Sequence, residues 1–434
     1  MGSDRAWRNW AGNQAMAPAR VERPASTDEV SDAVRRAAAE GLRVKAVGSG
    51  HSFTGIALTD GLLLDLSRLD RLLRVERETC RVTVQAGMPL HRLNATLAAH
   101  GLGLTNMGDI DRQTVAGALS TGTHGTGRRS GGLAAQVAGL ELVLADGSVT
   151  RCSPDERPEL FAGARLGLGA LGLLTAVTLQ AEPAFLLRAV ERPEPLDAVL
   201  GGFEHLVAAH DHAEFYWFPH TRTALVKRND RVEGPPQPLS RLRSVLEDEV
   251  LTNGVFTATC RLGRAAPRVV PAVNRLASRA LSERTYSDVA PNVFTSPRRV
   301  RFRETEWAVP RHLLPDLFGE LRTLPERLGL RISFPVEVRV CPADDVPLST
   351  AFGRDSAYVA AHAYVGTPHE AWFRAVGDLA ASAGGRPHWG KEHDLAAEDL
   401  RPRYPRFDAF VGLRDEVDPE RRFANAYLDR VLGP

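Results

Sequence analysis

Two runs with almost no side-chain bulk, Val47-Gly48-Ser49-Gly50-His51-Ser52 and Thr121-Gly122-Thr123-His124-Gly125-Thr126-Gly127, limit what this chain can fold into more than any other feature. Glycine admits close backbone approach, and successive N–H groups in such a turn form a nest for an anion. The first run follows the short apolar strand Leu42–Ala46 and suits a pyrophosphate. With the second run opposite, two loops can hold one extended, phosphate-bearing ligand between them. A third run, Gly167-Leu168-Gly169-Ala170-Leu171-Gly172, matches the G-x-G-x-x-G of dinucleotide-binding βαβ units. No clear strand leads into it, residues 173–179 read as a strand where a helix is required, and no acid follows about twenty residues on. Its glycines are instead expected to let backbones pack closely near the ligand.

Ser26 with Glu29 makes a capping box, and Val30, Ala33, Val34, Ala37 and Ala38 recur at helical spacing until Gly41. Leu62–Leu66 and Arg81–Ala86 are expected strands. Pro89–His100 is an expected helix stopped by Gly101, and Leu140–Ala145 with Ser148–Cys152 a hairpin closed by Asp146-Gly147. A chain of 434 residues exceeds one ordinary core, so two domains are expected. From about Ala184 the texture changes to longer, more aromatic strands, Ala213–Phe218 and Val255–Arg261, between helices at Pro267–Leu281 and His312–Leu328. Gly234–Ser240 reads as a surface loop, and 401–434 as alternating Arg and aromatics ahead of a short helix.

The 54 basic and 53 acidic residues leave a net charge of +1, which gives no field to draw nucleic acid or an acidic membrane surface. The partner is expected to be small and not strongly charged. Cys80, Cys152, Cys260 and Cys341 lie far apart without a C-x-x-C pair, so neither a disulfide framework nor a metal site is expected. A reducing compartment fits. With no apolar signal core and no run approaching the roughly 18 apolar residues of a membrane span, the protein is expected to be soluble and cytoplasmic.

The stretch Ile332–Val340 alternates as a strand, with Phe334, Val336, Val338 and Val340 on one face and Glu337 and Arg339, about 7 Å apart, on the other. Ser356–Val365 has the same organisation, with His362 and Tyr364 on one face. Such pairs fit either a polar active-site floor or a cross-strand ion pair on a solvated surface. His388-Trp389-Gly390-Lys391 is an unusual cluster to leave on a surface. The basic run Arg298–Arg303 reads as a solvated strand face, and His124 alone as a histidine satisfying backbone groups.

Together, and in this order, Val47–Ser52, Thr121–Gly127, Glu337-Val338-Arg339 and His388–Lys391 resemble the aldonolactone oxidase group of the vanillyl-alcohol-oxidase flavoproteins, a likeness running from Trp7–Gly12 to Phe423–Tyr427. The resemblance implies an α+β fold of two domains. A PCMH-type FAD domain would span 1–183, a substrate-binding cap with a mixed or antiparallel sheet flanked by helices 184–400, and a segment returning to the FAD domain 401–434. It implies FAD joined through its 8α carbon to His51, a bond that raises flavin potential and prevents cofactor loss. It implies further cofactor contacts from Val47, Gly48, Ser49, Gly50, Ser52, Gly108, Asp109, Thr114, Gly117, Thr121, Gly122, Thr123, His124, Leu173, His388 and Lys391.

By the same likeness Glu337, Arg339 and Lys391 bind and orient the reacting hydroxyl, with His362 beside them and Glu337 the first choice of base; Asp109 and Tyr364 shape the substrate pocket. Asp109 stands where relatives usually carry serine. A carboxylate there accepts from two hydroxyls but repels anions, which argues for a neutral lactone or polyol. The expected reaction is oxidation of L-gulono-1,4-lactone or D-arabinono-1,4-lactone at C2, with O2 as acceptor and H2O2 as product. An alditol oxidase acting on xylitol or sorbitol, and an aldonolactone dehydrogenase using a cytochrome or quinone, are the alternatives. Gly108, where alanine would screen the flavin from oxygen, leans towards an oxidase.

Overall fold

The structure, a computed structural model, describes residues 6–240, 254, 256–296 and 299–434. Ser26 accepts from the Glu29 amide at 3.2 Å, and the helix it caps, Thr27–Ala39, buries Val30, Ala33, Val34 and Ala37. That stripe covers a three-stranded parallel sheet of Arg20–Glu22, Leu62–Asp65 and Val44–Val47. Beside it lies a five-stranded antiparallel sheet, in the order Val149–Cys152, Val137–Val143, Leu173–Gln180, Arg81–Gln85, Leu72–Glu76. The expected hairpin closes with Gly147 at φ +81°. Leu173–Gln180 follows the third glycine run directly, so that run opens a strand, as its sequence predicts.

The second domain is one eight-stranded sheet, antiparallel at every pairing. Its order is Arg284–Val289, Leu186–Pro195, Thr223–Val232, His212–Trp217, Val336–Cys341, Ser356–Tyr364, Phe302–Pro310, Arg386–Pro387. Because side chains alternate along a strand, each central strand offers one apolar and one polar face. Phe215, Trp217, Val336, Val338, Val359 and Trp307 pack under helices that contribute Phe203, Phe318, Trp372 and Val376. The opposite face carries Glu214, Tyr216, Glu337, Arg339, His362, Glu304 and Glu306, and it turns towards the glycine loops. Glu337 and Arg339 are 4% and 8% exposed, so this face is no solvated surface.

Three sequence expectations need correction. Phe256–Ala265 is a helix where a strand over Val255–Arg261 is predicted; residue 255 lies outside the described residues. Phe256, Cys260 and Gly263, at i, i+4 and i+7, form its inner stripe, and their mixed residue types hide the period. The strand expected from Ile332 begins at Val336, since Pro335 has no N–H to give a ladder. The helix predicted over 312–328 is broken into Arg311–Leu313, Leu314–Leu321 and Leu324–Arg327.

Residues 401–434 hold two helices, Phe407–Val417 and Ala426–Leu432, which place Phe407, Phe410, Leu428 and Val431 in the core beneath the five-stranded sheet. The Val44 amide donates to Arg422 O at 2.8 Å, and Asn425 Nδ2 donates to the carbonyls of Gly55, Ile56 and Leu58.

Candidate active site

Between the three-stranded and the five-stranded sheet of the first domain runs a cleft of about 980 Å³, counting the space at its mouth. Val47, Gly48, Ser49, Gly50, His51, Ser52, Thr114, Gly117, Thr121 and Leu173 line it, with Leu168, Gly169 and Gly172 of the third glycine run. A side chain would close it: a Cβ on Gly48 would lie 2.3 Å from Thr114 Oγ1, and Gly50 sits at φ +69°. Thr114 is fixed because its hydroxyl accepts from the Gly117 amide at 3.2 Å, capping the helix Val115–Thr121. The loops therefore make a cradle shaped for backbone contact with a long ligand.

His51, Ser52, Gln113 and Thr121 also line a second cavity of about 600 Å³, counting the space at its mouth, so the cleft leads into a chamber. Gly108, Asp109, Thr123, His124, Arg339, His388 and Lys391 form its walls, together with Glu304 and Glu306. Burial, with Lys391 nearby, pushes the His51 imidazole down to about 4, so the ring is neutral near pH 7. Burial likewise pushes His388 down to about 3; its Nδ1 accepts from the Gly390 amide at 3.0 Å. His124 is the opposite case. Its Nδ1 donates to Gly125 O at 2.9 Å and its Nε2 faces Glu306 at 3.3 Å; burial opposes the charge, but Glu306 holds the ring up at about 10. Glu306 is held below the usual carboxylate range by His124 against the effect of its own burial.

Among the described residues, His124, Glu306 and His388 are the one group whose ligand atoms lie close enough to share a metal ion. Each ring already spends one nitrogen on backbone, His124 Nδ1 on Gly125 O at 2.9 Å and His388 Nδ1 on the Gly390 amide at 3.0 Å.

Arg339 is the best-braced cation in the chamber. It contacts Glu337, lies 3.2 Å from Glu214 and 3.3 Å from Asp109, and although burial disfavours its charge, these carboxylates hold it well above its ordinary value. Tyr216 donates to Glu337 at 2.8 Å, and Lys227 stands 3.8 Å behind Glu214. Lys391 contacts Glu304; burial opposes its charge, and Glu304 and Glu306 raise it.

Most of the residues singled out from the sequence line one of the two cavities, but four do not. Glu337 lies behind Arg339, outside the chamber lining. His362 is buried against Phe302, its Nδ1 donating to Pro335 O at 3.0 Å and its Nε2 3.7 Å from Glu304. Tyr364 packs beside the Cys260–Phe334 cluster, with Arg264 over its ring at 5.7 Å. Gly122 is the left-handed cap of Val115–Thr121 at φ +80°. Sequence reading missed Glu214, Tyr216, Glu304 and Glu306, each pair two apart on a strand; that spacing was the available signal.

Comparison with known proteins adds to this geometry. The profile described as D-arabinono-1,4-lactone oxidase matches residues 177–431, and that of an FAD binding domain matches 18–153. L-gulono-1,4-lactone dehydrogenase of Mycobacterium tuberculosis (strain ATCC 25618 / H37Rv) is 43% identical over 428 residues, covering 99% of each chain. L-gulonolactone oxidase of Bos taurus is 33% identical, covering 98% of each. The crystal structure of cholesterol oxidase from B. sterolicum superimposes with a TM-score of 0.85 at 20% identity, covering 99% of this chain and 96% of that one, a likeness of fold.

Proposed function

Because this chain belongs to the D-arabinono-1,4-lactone oxidase family of FAD-dependent oxidoreductases, we propose that it oxidises an aldonolactone, L-gulono-1,4-lactone or D-arabinono-1,4-lactone, at C2 and passes the electrons to an acceptor other than oxygen. One observation carries the reading: the cleft suited to a dinucleotide opens, at His51 and Thr121, into a chamber walled by Arg339, Lys391 and Asp109. FAD supplies the hydride acceptor when bound. Arg339 and Lys391 stabilise the substrate oxygen as its proton leaves, and their bracing by carboxylates means that no reorganisation is needed at that moment. Glu337, the base expected from the sequence, bonds Arg339 and Tyr216 behind the wall, so its role here is to orient Arg339. Asp109, which faces the chamber, takes the hydroxyl proton. The neutral imidazole of His51 is suited to attach the flavin covalently.

The acceptor is where this reading departs from the expected oxidase. The relative at 43% identity bears the name of a dehydrogenase, and the one at 33% that of an oxidase. The test is anaerobic bleaching of the protein's flavin by L-gulonolactone, D-arabinonolactone, xylitol and sorbitol, followed by reoxidation with air, cytochrome c or a quinone. Bleaching by polyols alone would make it an alditol oxidoreductase, and reoxidation fastest in air would make it an oxidase.

A further inference from the structure

The chamber wall holds three acids and three cations in contact: Asp109 with Arg339, Glu304 with Lys391, and Glu306 with His124. With His51 and His388 neutral, the lining carries no net charge. The three pairs are not equivalent. Arg339 is shared among Glu337, Glu214 and Asp109, and His124 is also bound to backbone. Lys391 has Glu304 as its one ionic contact among the described residues, and its ammonium otherwise lies over the Phe53 ring at 5.3 Å. Glu304 is therefore the one acid in direct contact with Lys391, while Glu306 and Asp109 act on it from farther off. Glu304 is itself 5% exposed and 3.7 Å from His362 Nε2.

An unopposed, desolvated ammonium in a chamber of this size is a carboxylate receptor. Beside Glu304, an incoming carboxylate instead meets a like charge with little water to screen it. Behind the wall, Glu337 and Glu214 outnumber Lys227, which adds to the same exclusion. Resting on the function proposed above, we propose that Glu304 is a specificity determinant: it cancels Lys391, so that the chamber takes the uncharged, ring-closed lactone and refuses the open-chain aldonate formed by lactone hydrolysis.

The test titrates flavin-loaded protein with a lactone and with the matching sodium aldonate, following the visible absorption of the oxidised flavin under anaerobic conditions for the aldonate and its bleaching for the lactone. Wild-type protein should respond to the lactone and not to the aldonate over the same concentrations. Glu304→Gln should bind the aldonate at least about tenfold more tightly than wild type, whereas Glu304→Asp, which keeps the charge, should not. Adding Lys391→Met to Glu304→Gln should abolish the gain. No gain in Glu304→Gln, or an equal gain in Glu304→Asp or in the double variant, overturns the proposal. Should Glu304→Gln hold no flavin, Lys391→Met decides alone: it leaves Glu304 unopposed and must bind a protonated amino-polyol more tightly than wild type does, equal binding overturning the idea. Wild-type flavin that no lactone bleaches would instead sink the proposed function, while the aldonate titrations would still report on Glu304.

Discussion

Arg339 shows how one residue acquires a role from neighbours far away in sequence. That Glu337 and Arg339 share a face follows from strand alternation and is legible in the chain. Which of them lines the chamber is not, because that goes with Tyr216, 121 positions before Glu337, and with Glu214. Arg339→Ala removes the cation and leaves three carboxylates without it. The rate of anaerobic flavin reduction is expected to fall about a hundredfold to a thousandfold while the flavin stays bound; reduction at the wild-type rate would take Arg339 out of the site. His51→Ala is expected to release its flavin on acid precipitation, leaving a colourless pellet, and a yellow pellet would rule out the His51 tether. Gly108 carries a caution about single residues. A Cβ there would meet His124 O and Thr123 Cγ2 at 3.2 Å each. A larger residue at this position needs these neighbours to give by a few tenths of an ångström, so glycine has a packing reason here beside the one read from the sequence.

Among the elements, the strand Phe302–Pro310 was the hardest to read. The basic run that leads into it suggests a solvated face, but the alternation continues, sending Glu304 and Glu306 to the chamber and Thr305 and Trp307 to the other side. Burial comes from its position between Ser356–Tyr364 and Arg386–Pro387, which no local pattern shows. The His124–Glu306 pair ties this strand to the second glycine loop and gives a pH dependence of definite sign. Because His124 is raised from 6.5 to about 10, its contribution to stability is fully present below pH 6.5 and is lost as the pH rises through about 10. Thermal melts between pH 6.5 and 10 should show this loss in wild type and a flatter profile in His124→Gln; identical slopes would mean that the histidine is not charged. On the far side of the sheet, Trp372 of the helix Glu370–Ser382 is fully buried in the core. Trp372→Ala should cost about 3–5 kcal/mol in denaturant unfolding, without changing the chamber's charges.

At the scale of the molecule, the site depends on a seam between the two domains. Thr126, in the second glycine run, donates its hydroxyl to Ala213 O at 2.6 Å and accepts from the Val340 amide at 3.2 Å; its own carbonyl accepts from His212 Nδ1 at 2.7 Å. The Gly127 amide donates to Val340 O at 2.8 Å. The loop that lines the cofactor cleft is therefore stitched to the strands that carry Glu214 and Arg339, so cradle and polar floor share one frame. The two-domain plan was legible from length, change of texture and the glycine runs. This seam was not, since a threonine among glycines gives no sign of which strands it will join. Thr126→Val keeps the shape and removes the hydroxyl, leaving Ala213 O and the Val340 amide short of a buried partner, at a cost of about 1–3 kcal/mol. If the seam sets the distance between cleft and chamber, this variant should melt earlier and also reduce its flavin more slowly, although residue 126 lines neither cavity. A lower melting temperature with an unchanged reduction rate would show that the seam only adds stability, and that the floor is held in register by the sheet itself.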